Sequence, residues 1–295
     1  MKKVIILSLI FTLSIFGDYS NHIDSKIVID ELVSKHGFDE SYVIEVLKNA
    51  EKRDEMLQSV AKPAEKTKTW DEYKAIFIKA NRIRDGKKFI SKNITTLEKA
   101  EKEFGVPKEI ITAILGVETN YGSNKGGYRV IDSLTTLGFD DPRRSKFFRR
   151  ELIEFFLLTR ENNLDIFKTK GSYAGAMGYG QFISSSYRAY AIDYDGDGYA
   201  DLFDSVEDSI GSTASYLARH GWKREGKIVT RTYPNNVRKF YKPHESLTRF
   251  IPLTFNENGE DLYFIGDDNF RAIARYNISD VYAMAVYYLS EEFKK

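Results

Sequence analysis

The chain has 295 residues, of which 44 are Lys or Arg and 43 Asp or Glu, for a formal net charge of +1. That balance offers no bulk field to nucleic acid or to an anionic membrane surface, and 42% hydrophobic with 29% charged residues is a globular composition, long enough for one large or two ordinary domains. Cysteine is absent, which excludes both disulfides and a lipid-modified cysteine, so stability must come from the core.

Residues 1–20, MKKVIILSLIFTLSIFGDYS, read as a targeting segment, with Lys2 and Lys3 ahead of an apolar run from Val4 to Phe16. The run is shorter than the ~20 residues a membrane-spanning helix needs, so export is expected. Nothing near Gly17 resembles an A-x-A cleavage site, which leaves a cleaved signal peptide and an uncleaved N-terminal anchor both open.

From about Asn21 to Glu65, apolar residues recur at helical spacing (Ile27, Val28, Leu32, Val33, then Tyr42, Val43, Val46, Leu47), with Gly37 as a stop and Asp39 as a cap between two helices. The stretch Ala61 to Thr69, AKPAEKTKT, is polar and holds a proline; it reads as a linker or wrapping arm, or equally as a solvated loop. Helices are predicted over 70–84, 88–104 and 107–120, with Pro107 as a first helical residue and Gly122 just past the end. Further helices are expected over 145–159, 184–190 and 205–220. Between Lys227 and Asp268, the alternation in KIVTRTY and the segments RFIPLTF and DLYFIG around NENGE predict a small β-hairpin element. The tail, RYNISDVYAMAVYYLSEEF, returns to helix.

Three stretches could carry chemistry. In ILGVETNYG, Glu118 closes a greasy segment containing Ile110, Ile111, Ala113, Ile114, Leu115 and Val117. A charged residue there is either a surface group at a helix end or a carboxyl held among apolar neighbours for a purpose. In DYDGDGYADLFDSVE, Asp193, Asp195 and Asp197 occupy positions one, three and five of an EF-hand-type loop, Gly198 the sharp turn at six, the Tyr199 carbonyl position seven and Asp201 position nine. Position twelve holds Asp204 instead of the usual Glu, and Glu207 could close a longer loop. Only one such loop is present, which suits a structural calcium ion better than a calcium switch; an ion-free Asp/Gly turn is the plainer alternative. In GSYAGAMGYGQF, small residues, aromatics and the amide of Gln181 suit a groove floor for a hydroxyl-rich ligand, while the order GxxGxG fits neither dinucleotide nor P-loop binding. Tight helix packing explains the same pattern. The histidines at 22, 36, 220 and 244 stand at no metal-ligand spacing, and Arg143 with Arg144, following Asp140, Asp141 and Pro142, reads first as a salt-bridged turn.

Taken together and in order, GVETNYG, DSLTTLGFDDPRRSKFF, GSYAGAMGYGQFISSSY, the acidic loop and RYNISDVYAMAV resemble the lytic murein transglycosylase B family of bacterial cell-wall enzymes, over a stretch running from about Trp70 to the end. The resemblance implies a mainly α (α+β) fold: a lysozyme-like helical core over 70–295 with an embedded EF-hand-like calcium loop at 193–207 and a small β region at about 227–268, preceded by a helical accessory region and linker at 21–69. It implies cleavage of the β-1,4 bond between N-acetylmuramic acid and N-acetylglucosamine in peptidoglycan to leave 1,6-anhydromuramoyl ends, with Glu118 as the catalytic acid/base. Ser172, Gln181, Tyr276, Asn277 and Tyr282 match groove residues, and Tyr73, Arg143, Arg144 and Phe182 match further glycan contacts. Calcium would be the structural ion, held by Asp193, Asp195, Asp197, Tyr199, Asp201, Asp204 and Glu207, with no organic cofactor. The partners implied are glycan strands in the periplasm and proteins of wall synthesis or remodelling.

A single acid suffices for such a reaction because the attacking hydroxyl belongs to the sugar, whereas glycosidases ordinarily use two carboxylates. No second Asp or Glu falls in the matched groove motifs, though one could arrive from a loop. The competing readings are a muramidase that cleaves the same bond with water, a noncatalytic calcium-stabilised peptidoglycan-binding module, and, further off, a calcium-signalling protein.

Overall fold

The computed structural model describes residues 18–62, 64–235 and 251–295; the expected apolar leader and residues 236–250 of the β region lie outside the described residues. The chain opens with a 3-10 turn, Tyr19–Asn21, and four helices: α1 (Ser25–His36), α2 (Glu40–Lys48), α3 (Asp54–Ala61) and the one-turn α4 (Ala64–Thr67). Gly37 ends α1 in the left-handed region at φ 66°, where a side chain would be strained, and the Asp39 carboxylate caps α2 by accepting the Tyr42 amide at 2.9 Å.

Next come α5 (Trp70–Phe77), α6 (Ala80–Lys92), α7 (Ile94–Phe104) and α8 (Lys108–Thr119). The two helices expected over 70–104 are therefore three, broken at Ile78–Lys79 and at Asn93. The sequence TWDE marks the start of α5 as a capping box, Thr69 and Glu72 each bonding the other's backbone amide. Pro107 is the cap of α8 instead of its first residue, and Asn120, left-handed at φ 52°, closes the helix two residues before Gly122.

The two-residue β1 (Tyr128–Arg129) leads into α9 (Val130–Asp140), then α10 (Ser145–Glu161), β2 (Lys170–Gly171) paired antiparallel with β1, α11 (Ser184–Tyr190) and α12 (Val206–Arg219). No helix was expected at α9. Its apolar residues Val130, Ile131, Leu134 and Leu137 do recur at helical spacing, but the polar residues between them are buried too, so no face of the helix from Val130 to Phe139 meets water. The strands β3 (Val229–Thr232), β4 (Ile251–Glu257) and β5 (Glu260–Gly266) form one sheet in the order β3-β5-β4, the expected hairpin turning at Asn258 and Gly259, both at positive φ. The chain closes with α13 (Asp268–Tyr276) and α14 (Asp280–Lys294), the latter capped by Ser279.

Two seams position the site. Against α8 pack α14 and α6, while Trp70 and Lys74 of α5 bond the Glu257 carboxylate (2.9 and 2.7 Å) and so tie the hairpin to the same face. The N-terminal helices lie on α9: the Tyr19 hydroxyl donates to Asp140 at 2.7 Å, the Arg53 amide to the Thr136 hydroxyl at 3.1 Å, and the Glu51 amide to the buried Asp132 carboxylate at 2.9 Å. Arg129 completes Asp132's shell at 2.6 Å. Removing that carboxylate strands an amide and a half-buried guanidinium. Asp132→Ala is expected to lower unfolding free energy by about 2–3 kcal/mol, read from denaturant melts, with Asp132→Asn costing less.

Candidate active site

Glu118 is the next-to-last residue of α8, where the helix runs out of the core: every residue from Ile110 to Val117 is buried. Its carboxyl is half-buried and accepts a 2.6 Å hydrogen bond from the Tyr282 hydroxyl of α14. Burial raises its pKa to about 7 and a second negative group, Glu65, pushes the same way, while the Tyr282 hydrogen bond opposes both. The group is thus poised to hold and release a proton near neutrality.

The left-handed residues Asn120 and Tyr121 turn the chain sharply after Glu118. Tyr121 folds back under the helix, its hydroxyl on the Arg82 carbonyl at 2.8 Å, and its ring fills the space a Cβ at Gly116 would occupy, so Gly116 permits the fold-back. Thr119 reaches the other way. Its hydroxyl donates to the Tyr179 carbonyl at 2.8 Å and accepts the Gly122 amide at 2.9 Å, joining the Glu118 turn to the loop GSYAGAMGYGQF.

That loop is held by its own short bonds. Ser172 accepts the Ala174 and Ala176 amides (3.3 and 3.1 Å), Met177 and Phe182 pair as an antiparallel bridge, and Gly175, Gly178 and Gln181 all lie at positive φ. The Gln181 side-chain nitrogen donates to the Gly178 and Lys125 carbonyls at 3.1 and 3.2 Å. Phe182 departs from its expected place as a glycan contact: it is only 3% exposed and packs 5.7 Å from both Tyr216 and Tyr276, so it backs Tyr276 and has no face for a sugar. Tyr276 donates to the Gly180 carbonyl at 2.8 Å and stacks on Tyr282 at 6.5 Å between ring centroids. Burial and the nearby Glu118 charge raise the phenol pKa of Tyr282 and of Tyr276 far above the usual value, so both stay neutral donors.

Tyr73 of α5 and Asn277, just past α13, meet at a residue that no motif pointed to. Both donate to Glu65 Oε1, from the Tyr73 hydroxyl at 3.3 Å and the Asn277 amide nitrogen at 3.2 Å. Arg143 and Arg144 form the salt-bridged turn: their amides bond the buried Asp141 carboxylate at 2.8 and 3.3 Å, and the Arg144 guanidinium lies over Phe147 and Phe148.

In the acidic loop, ligand oxygens of Asp193, Asp195 and Asp197 fall within 4.8 Å of one another, with Gly196 and Gly198 at φ 85° and 99° bending the chain around them. Three converging carboxylates and no cation among the described side chains of the cluster fit a hard, oxygen-seeking ion. Around that cluster the remaining expected ligands are otherwise engaged. Asp201 accepts the Phe203 and Asp204 amides, Asp204 is exposed and 3.4 Å from Lys125, and Glu207 is exposed in the first turn of α12. The reading of the sequence passed over Asp208, which is fully buried and accepts the amides of Tyr194, Asp195 and Asp201 at 2.7, 3.2 and 2.7 Å. Its signal was the S-x-x-D of Ser205 and Asp208, a helix-start pattern. The loop is wired to the groove through the Tyr179 amide on the Leu202 carbonyl at 2.9 Å and through Lys125, which bonds the Phe203 carbonyl.

A model of the transglycosylase SLT domain matches residues 24–291. The chain belongs to that family. It is 37% identical to the membrane-bound lytic murein transglycosylase B of Escherichia coli, across 93% of this chain and 84% of that one. The structure of the lytic transglycosylase SltB1 of Pseudomonas aeruginosa superimposes with a TM-score of 0.86 at 39% identity, covering 94% of this chain and 99% of that one. The E. coli lytic transglycosylase Slt35, solved in complex with calcium, gives 0.83 at 35%, covering 94% and 95%. The protein is accordingly a lytic transglycosylase acting on peptidoglycan, with the lysozyme-like helical fold of its relatives. No helix among the described residues is long and apolar enough to cross a membrane.

Two consequences follow for Glu118. A carboxyl whose pKa is higher folded than unfolded leaves the folded state binding more protons between the two values, so it subtracts stability as pH rises through that window and subtracts nothing below it. Glu118→Gln should therefore be more stable than the wild type by about 1–3 kcal/mol at pH 8, the gain vanishing near pH 4, in parallel denaturant melts. Tyr282→Phe removes a hydrogen bond to the charged form, so the descending, high-pH limb of the activity profile should move to higher pH.

Proposed function

We propose that Glu118 serves as both acid and base in a cleavage that uses no water. Protonated as substrate enters, it gives its proton to the glycosidic oxygen as the bond from C1 of N-acetylmuramic acid to O4 of N-acetylglucosamine breaks. As the carboxylate, it then takes the proton from the C6 hydroxyl of the same muramoyl residue, whose oxygen bonds C1 and closes the 1,6-anhydro ring. Glu118 ends as it began, and attack from within the same sugar gains the advantage of proximity over free water. What carries this reading is the position of Glu118: a carboxyl poised near pH 7 at the end of a buried helix, its Oε1 accepting from the Tyr282 hydroxyl.

The surrounding groups divide the remaining work. Ser172 and Gln181, fixed by the bonds of their loop, present polar edges for sugar hydroxyls beside the half-buried Tyr276, while Tyr282 and Tyr73, as buried as Phe182, stand behind the groove and hold Glu118 and Glu65 from within. Asn277 orients the acetamido group beside C1. Arg143 and Arg144, on an exposed turn, supply further contacts to the glycan or its peptide stem. Calcium would be held by Asp193, Asp195 and Asp197 with the Tyr199 carbonyl, neutralising the carboxylate cluster and stiffening the chain that leads to Tyr179, with no part in bond breaking. Residues 21–69 act as a helical accessory region to the catalytic region at 70–295, and the apolar N-terminus delivers the protein to the periplasm, where glycan strands and wall-remodelling proteins are its partners.

Glu118→Gln should retain the fold and sacculus binding and lose turnover by at least about a thousandfold, since both proton transfers fail. Mass spectrometry of the wild-type digest should show muramoyl ends lighter by one water than reducing ends; predominantly reducing ends would instead establish a muramidase. Calcium at a hundred times its dissociation constant should stabilise the protein by about 2.7 kcal/mol without exposing dye-binding apolar surface, and Asp193→Ala should abolish that gain.

A further inference from the structure

We infer that Glu65, on the one-turn α4, is a positioning residue for the reaction: its carboxylate ties the buried Tyr73 to the exposed Asn277. The inference rests on the proposed role of Glu118. The two bonds converge on one oxygen, from Tyr73 in α5 and from Asn277 more than two hundred residues later in the chain, so a single side chain of the one-turn α4 stitches the accessory segment, α5 and the α13–α14 junction.

The chemistry of a carboxylate makes this stitch directional. An ionised Glu only accepts hydrogen bonds, so it fixes the Asn277 amide with its nitrogen toward Glu65. The amide's other polar atom, Oδ1, is an acceptor, the group that suits the N–H of an acetamido substituent. The same logic leaves Tyr73 as donor to Glu65. Asn277 is exposed and follows the last turn of α13 with extended backbone, so without a fixed partner its amide would be free to rotate. Glu65 itself is half-buried, and its segment is anchored on the far side by the Thr69–Glu72 capping box.

Glu65 also acts on Glu118 through space. The titratable groups facing Glu118 are Tyr73 of α5, Tyr276 of α13, Tyr282 of α14 and Glu65 of α4, while Arg82 of α6 turns its guanidinium onto the Gly116 carbonyl at 2.6 Å. Burial keeps the three phenols neutral, which leaves Glu65, among these facing groups, as the negative charge that disfavours ionisation of Glu118. A second carboxylate thus enters the cleft in a role other than nucleophile or general base, with its Oε1 already committed to two donors.

The test compares Glu65→Ala, Glu65→Gln and Glu118→Gln in the full chain, on purified sacculi and soluble glycan strands. Glu65→Ala should lose kcat by about ten- to a hundredfold, the penalty of a misplaced contact, with KM changed less and the thermal midpoint close to wild type. Glu65→Gln keeps an oxygen that accepts from Tyr73 and Asn277, so it should recover most of that loss. In both variants the descending limb of the pH profile should move to lower pH, opposite to Tyr282→Phe, because the neighbouring negative charge is gone. Wild-type kcat and pH profile in both Glu65 variants, beside an inactive Glu118→Gln, would overturn the inference and leave the function standing. Equal loss in the Ala and Gln variants with a lowered melting midpoint would also overturn it, in favour of a purely structural role. A wild-type digest containing reducing ends that vanish in Glu65→Gln would overturn it too, making Glu65 a base for water. Activity retained in Glu118→Gln would instead strike at the proposed reaction itself.

Discussion

The structure depends on keeping one carboxyl protonated at a pH where most carboxyls are not. Glu118 achieves this by standing where a buried helix of the core reaches the surface, so that apolar neighbours withhold the solvation its charge would need. Tyr282 sets the balance. Its 2.6 Å bond favours the charged form enough that the proton can leave, and burial favours the neutral form enough that the proton is there to give. Were either influence absent, the group would be a permanent acid or a permanent base, and a reaction needing both in turn would stall.

The rest of the molecule can be understood as what holds that balance in place. Three separate parts of the chain converge on the end of α8: α14 brings Tyr282, the glycine-rich loop is latched by Thr119 onto Tyr179, and the accessory segment reaches over with Glu65. The acidic loop sits one step further out, bonded to the groove loop through Leu202 and Lys125. Its three clustered carboxylates repel one another, so a cation bound there would act on the groove loop through stiffness. Glycine appears where backbones must come unusually close, as at Gly116 beneath the Tyr121 ring.

Much of this was legible in the chain because the signals were local. Gly37 and Asp39 end one helix and begin the next as their residue types dictate, and Asn258 with Gly259 turn the hairpin. The even Asp spacing of the acidic loop shows directly as converging carboxylates. Where the reading failed, the signal was missing or misleading for a physical reason. Helix α9 has apolar residues at helical spacing, but Asp132, Ser133, Thr135 and Thr136 between them are buried as well, so the polar face its sequence suggests is not one. Phe182 sits in a groove motif yet faces inward, since neighbouring residues of a tight loop point opposite ways. AKPAEKTKT has the composition of a solvated linker, and nothing within its nine residues says that two partners from elsewhere in the chain will meet its one inward carboxylate.

By itself, the sequence determined the class of fold and the family and singled out Glu118 as the candidate acid, because these rest on patterns of neighbouring residues: an apolar run ending in Glu118, a calcium-type spacing, and motifs in a recognisable order. Only the tertiary structure decided the state of that acid and the company it keeps. A pKa is set by burial and by charges a few ångströms away in space, and Tyr282 and Glu65 lie 164 residues after and 53 before Glu118 along the chain.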